Sequence, residues 1–210
     1  MKIGVRARFP GQSGSPATAM RNRALTPIFR KWGLSLFFGL LVPLVVHAQG
    51  EQARTLELDG GKTIAYTVRL HPEDAHLFTP KADLAPTSAL NAAKLLNLHL
   101  STGDIEEAAL LSNAPRRRFE VLREYRESVG EEEFKRVFAQ YLAPGNRLVA
   151  EIAIDRHRLL IWDLREGATR FAGQYFVEIE GRYLIDDVPN GTRASLREVL
   201  EAYRAGRIKL

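Results

Sequence analysis

Near Pro144 the hydrophobic period switches from 3.6 to 2, and that switch restricts the folds open to this chain. Before it, Phe134, Val137, Phe138, Tyr141 and Leu142 recur at i, i+3, i+4, i+7 and i+8, the stripe of an amphipathic helix. The segment APGN (143–146) then stops the helical pattern. After it, RLVAEIAID (147–155), RLLIWDL (158–164), TRFAGQYFVEIE (169–180) and RYLIDD (182–187) read as four strands. Turns at Arg156-His157, Arg165–Ala168 and Glu180-Gly181 are too short to carry a crossover, so consecutive strands must be antiparallel neighbours.

The segments on either side fit the same plan. RTLELDGGKTIAYTVRL (54–70) alternates around Asp59-Gly60-Gly61, a hairpin in which glycine supplies the positive φ of a tight turn. HPEDAHLFTPKADLAP (71–86) contains three prolines and no period, and reads as a connector. From Thr87 the spacing of Leu90, Ala93, Leu96 or Asn97, and Leu100 predicts a helix capped by Thr87 or Ser88 and ended by Gly103. Asp104 caps a short second helix, and Pro115 opens a third, where its missing N–H costs nothing. Gly130 separates a fourth, whose first turn carries Glu131, Glu132 and Glu133, where negative charge complements the helix dipole. A last helix spans 192–206, with Leu196, Val199, Leu200 and Tyr203 on one face. The fold class is α+β: an N-terminal hairpin, helices, a curved four-stranded antiparallel sheet and a C-terminal helix.

Residues 1–48 stand apart from this pattern. The run from Trp32 to Val46 is 15 residues long, short of the ~20 that cross a bilayer. Arg30 and Lys31 precede it, and Val46-His47-Ala48 offers a small-residue exit. These are the features of a secretory signal peptide cleaved after Ala48, with an uncleaved anchor as the alternative. MRNRALTPIFRK, starting at Met20, is by itself an ordinary beginning for such a peptide, so residues 1–19 can be a mis-assigned start. Cleavage implies a periplasmic or secreted protein with no stable membrane span. The leader holds seven of the 30 basic residues and none of the 25 acidic ones, so the remaining 162 residues carry 23 and 25, a net of −2. The basic balance of the whole chain is therefore no argument for nucleic-acid binding. The chain has no cysteine, which excludes disulfides, and a core must stabilise the exported part. The leader (1–48), the hairpin and connector (49–86) and a cone-like α+β domain (87–210) make up the expected organisation.

ALNAAKLLNLHLSTGDIEEAALLS (89–112) resembles the opening helices of the superfamily that contains nuclear transport factor 2 and ketosteroid isomerase, where a long helix ends in a Gly-Asp pair and a short Ala/Leu helix follows. YFVEIEGRYLIDDV (175–188) is similar to the last hairpin of such domains. The resemblance covers roughly residues 87–188; the hairpin at 54–70 and the helix at 192–206 lie outside it, and the strand usual between the second and third helices is not visible. It implies a curved sheet wrapped on helices around a conical pocket. That architecture hosts isomerases, dehydratases and non-catalytic binders, so it cannot choose a function.

Site chemistry is sparse. His71 and His76 fall in the connector, and His157 in a turn between arginines, where a solvated role is expected. His99 lies on the first helix, and a base pairing with Asp155 or Asp163 would require it to face the pocket. Asp186-Asp187 reads as a strand-end cap, and no His, Asp and Glu spacing matches a metal site. Ser101, Ser112 and Ser128 have no nucleophile-elbow context. Two features suit binding. Arg116-Arg117-Arg118 at a helix start can hold an acidic partner or a phospholipid headgroup, or simply form a solvated face beside Glu120 and Glu124. Trp162, Phe171, Tyr175, Phe176 and Tyr183 form an aromatic set on the strands, and alternation sends Tyr175 and Phe176 to opposite faces. The candidate binding residues are thus Arg116, Arg117, Arg118, His99, Trp162 and Tyr175, with no catalytic residue, metal or cofactor assigned. The function expected is a non-enzymatic, exported domain that binds a small molecule, lipid or protein. A periplasmic lipid carrier, a toxin-neutralising immunity protein and a small pocket enzyme of isomerase or dehydratase type remain open beside it.

Overall fold

The computed structural model describes residues 50–78, 84–165 and 170–210. The expectations for the leader, for the middle of the connector and for most of the Arg165–Ala168 turn lie outside the described residues.

Six strands form one antiparallel sheet in the order of the chain: β1 (Gln52–Glu57), β2 (Thr63–Leu70), β3 (Arg147–Ile154), β4 (His157–Asp163), β5 (Phe171–Ile179) and β6 (Arg182–Ile185). The sheet is therefore larger than the four strands expected. The N-terminal hairpin is not a separate appendage: β2 pairs with β3, with Arg69 opposite Glu151 and Val68 opposite Ile152. Ile64, Tyr66 and Val68 on one side of β2 are buried, so leaving the hairpin free would expose an apolar row.

Between β2 and β3 come α1 (Ala89–Thr102), α2 (Ile105–Leu110), α3 (Pro115–Val129) and α4 (Glu131–Ala139), and α5 (Gly191–Arg204) closes the chain. Their ends follow the local chemistry. The Ser88 hydroxyl accepts from the Asn91 N–H, Gly103 ends α1 in the left-handed region, the Asp104 carboxylate accepts from the Glu107 N–H, and Pro115 stands at the first position of α3. Between α2 and α3 the chain touches the sheet through a single parallel bridge, Ser112 to Ile185.

The two faces of the sheet are covered separately. Ala92, Leu96, Leu100, Ile105, Leu122 and Phe134 of the first four helices pack on Leu148, Leu160, Trp162 and Phe176. Leu196, Val199, Leu200 and Ala202 of α5 pack on Ile64, Val68, Ile152, Leu159 and Ile161. Leu148 and Ala150, two apart in β3, belong to opposite cores because the ladder slips between them, and such a bulge inverts the alternation. Gly173 lets α5 sit close: a Cβ there would lie 2.6 Å from a Leu200 methyl and 3.0 Å from one of Leu159.

Candidate functional site

The beginnings of α3 and α5 come together at one end of the sheet, with β5 beneath them. On α3, Arg116, Arg117 and Arg118 are consecutive, so the helix turns them about 100° apart. Arg116 and Arg117 are both exposed, but only Arg117 lines the cleft; Arg118 is half-buried and lines a smaller space beside it. On α5, Arg193 and Arg197 are four apart and share a face. Asn190 caps this helix by accepting from the Arg193 N–H at 2.7 Å. From β5, Tyr175 rises on the α5 side, while its neighbour Phe176 enters the other core. Arg117, Tyr175, Arg193 and Arg197, with Pro189 and Ala194, line an open cleft of about 470 Å³. A more enclosed space of about 170 Å³ adjoins it between Arg117, Arg118, Val121, Asp187 and Arg193.

The loop from β6 to α5 is tied down by side chains from the α2–α3 connection. The Asp187 carboxylate accepts from the Ser112 hydroxyl at 2.7 Å and faces Arg118 at 3.5 Å. The Asp187 N–H donates to the Asn113 side-chain oxygen at 2.8 Å. Asp186 is buried and accepts from the amides of Asn113 and Asn190, each at 3.0 Å, with His157 Nε2 3.7 Å away. Asp186-Asp187 is thus the strand-end tie that the sequence suggests. His157 is a correction. The turn is Asp155-Arg156, one residue earlier than expected, so His157 opens β4 and is buried against the α5 side instead of being solvated.

Charge in the cleft is unbalanced. Among the described residues, no carboxylate lies within 4.0 Å of the guanidinium of Arg117, Arg193 or Arg197. Asp187 is the carboxylate on the lining, and Arg118 and Ser112 already engage it. Burial lowers the Arg118 pKa, as does nearby Arg193, against the pull of Asp187. The Arg118 Nε is buried without a partner among the described residues. The Arg193 guanidinium lies 5.4 Å from the centre of the Tyr175 ring, a cation–π contact. Burial raises the Tyr175 pKa, opposed by Arg204, Arg193 and Arg197, so the phenol remains a neutral hydrogen-bond donor at physiological pH.

The other candidates lie elsewhere. His99 does not face Asp155 or Asp163: its Nδ1 lies 3.4 Å from Asp104, the cap of the next helix. Asp155 is exposed in a turn, and Asp163 is buried against Arg170 at 3.2 Å and Arg147 at 3.6 Å. Trp162 has no exposed surface; it stacks edge-on with Tyr141 at 5.3 Å and builds core, not a binding surface. His76 is buried too, its ring edge-on to Trp162 and its Nε2 3.1 Å from the Ala143 carbonyl, so the connector supplies core. On the same face of the sheet the Gln174 amide donates to buried Asn97 at 3.0 Å. Among the described residues no set of three His, Cys, Asp or Glu is placed to hold a metal, and no helix is long and apolar enough to cross a membrane.

Sequence reasoning missed Arg193 and Arg197. Their signal was present, as two arginines four apart on the polar side of the terminal helix, but nothing local joined them to α3. No protein-family model, curated protein or solved structure matches the chain.

Proposed function

We propose that this chain is an exported, non-enzymatic domain that binds an anionic ligand or partner in the arginine cleft between α3 and α5. The observation that carries this reading is the uncompensated charge: Arg117, Arg193 and Arg197 converge on one space without a described carboxylate of their own. Guanidinium groups brought together repel one another, and an oxyanion relieves that repulsion while accepting their paired N–H donors. The cleft is locally positive on a chain whose residues after the leader carry a net of −2, so the charge is concentrated and not general. The His99–Asp104 pairing supports the non-enzymatic part, because it leaves the most plausible base on a helix junction. The leader at residues 1–48 supports export to the periplasm or beyond. Kinship with the nuclear transport factor 2 and ketosteroid isomerase superfamily remains part of the proposal, resting on the residues between 87 and 188.

Native mass spectrometry of protein purified from the periplasm tests this. The wild type is expected to carry a copurified anionic species, and the doubly reversed variant Arg193→Glu, Arg197→Glu to lose it. A wild type free of such species and unmoved in Tm by millimolar anions, or a variant that keeps the species, overturns the proposal.

A further inference from the structure

The cleft holds more than a position for a single negative charge. Three guanidinium groups with no described counter-ion make a local charge of about +3, whereas the Arg118–Asp187 pair is internally balanced. A carboxylate or a sulfate monoester brings one negative charge to such a space. A phosphomonoester brings ~1.5 to 2 at neutral pH, with three acceptor oxygens that suit forked arginine donors. The space of about 470 Å³ is also too large for a bare phosphate. Its remaining wall is mixed: Asp187 and Asn190, both tied to other side chains, and an apolar part made by Pro189, Ala194 and the Tyr175 ring, with the Arg193 guanidinium 5.4 Å from the centre of that ring. The cation–π contact engages Arg193 without a side-chain hydrogen bond among the described residues, so its N–H groups stay available to a ligand.

We infer that the cleft is a phosphomonoester site: Arg117, Arg193 and Arg197 hold the terminal phosphate, and a small organic group lies against Pro189, Ala194 and Tyr175. This rests on the anion-binding reading above and names its ligand class. The same headgroup chemistry occurs in a soluble phosphate ester and in a lipid with a terminal phosphate.

Calorimetric titration of the exported chain with phenyl phosphate and glycerol 3-phosphate, beside phenyl sulfate and benzoate, tests the inference. The phosphomonoesters are expected to bind at least about tenfold more tightly than the monoanions, since charged hydrogen bonds are the stronger ones. Their affinity should fall as pH drops from 7.5 to 5.0, because the second phosphate pKa is about 6. Arg193→Ala with Arg197→Ala should weaken binding at least about tenfold, while Arg123→Ala, on the exposed side of α3, should not change it. Phosphatidylcholine vesicles containing phosphatidic acid, set against vesicles with phosphatidylglycerol, identify the source. Selective flotation with phosphatidic acid points to a lipid, and binding of the soluble esters alone points to a soluble ligand; either supports the site. Equal binding of sulfate and carboxylate overturns the phosphomonoester inference and leaves the anion cleft standing. No anion binding by the wild type, or binding that the double variant keeps, overturns both.

Discussion

Two groups of arginines sit on this domain and behave oppositely. Around Glu151 on β3, one buried carboxylate gathers His71 at 3.3 Å, Arg158 at 3.4 Å and Arg69 at 3.8 Å. Arg69 is also paired with Glu51, and Arg158 stacks on Tyr183 at 5.8 Å. In the cleft, by contrast, Arg117, Arg193 and Arg197 have no described carboxylate of their own. The first group is closed by its own chain, and the second has no carboxylate within 4.0 Å among the described residues. Arginine number or density along the sequence does not separate the two. The presence of an internal counter-ion does: Arg158, largely withdrawn from water, is paired with Glu151, whereas Arg117 and Arg197 are exposed and keep their hydration without a described partner.

The largest expected effect breaks the first group. Glu151→Ala removes the common partner of two guanidinium groups and an imidazole, and should cost about 3 kcal/mol in chemical denaturation. A loss under about 1 kcal/mol would mean that the Glu151 cluster is surface decoration, and the contrast would fail.

A smaller effect sharpens the same side through pH. Burial raises the Glu151 pKa, but the His71 hydrogen bond and the charges of Arg69, His71 and Arg158 outweigh it and hold it below its ordinary 4.5. A carboxyl depressed in the fold stabilises fully above its unfolded pKa, and that contribution is lost as pH falls through the lower folded value. Wild-type stability should therefore decline with acid below about pH 4.5. Glu151→Gln should flatten that part of the profile. Parallel acid profiles for the two proteins would contradict the pairing.

The smallest effect belongs to the cleft. Arg193→Ala with Arg197→Ala removes no internal ion pair, so in the absence of anions stability should change by no more than about 0.5 kcal/mol. Removing like charge makes a slight gain the favoured direction. A loss as large as that of Glu151→Ala, read by the same denaturation curve, would turn the cleft arginines into structural ones.

Legibility differed between the fold and the site for a physical reason. Tyr175 and Phe176 could be sent to opposite faces from alternation alone, and so they lie. His157 could not be placed, because a turn one residue earlier moves it from solvent to the sheet. Trp162 and Tyr175 looked equivalent as strand aromatics, and only the layers above them distinguished a sealed side chain from a cleft wall.

Features that close within a few residues were legible along the chain. Ser88, Gly103, Asp104, Pro115 and the Gly60-Gly61 turn set where elements begin and end, since a cap or turn closes between near neighbours. The change of period near Pro144 determined the α+β class. Tertiary structure alone decided that the hairpin extends the sheet, a pairing that brings His71 to Glu151 across 80 residues. It alone joined the start of α3 to the start of α5, through Ser112 and Asp187, 75 residues apart. Contacts at that distance are chosen by which buried faces fit together once the chain has closed on itself, and no local spacing encodes that choice.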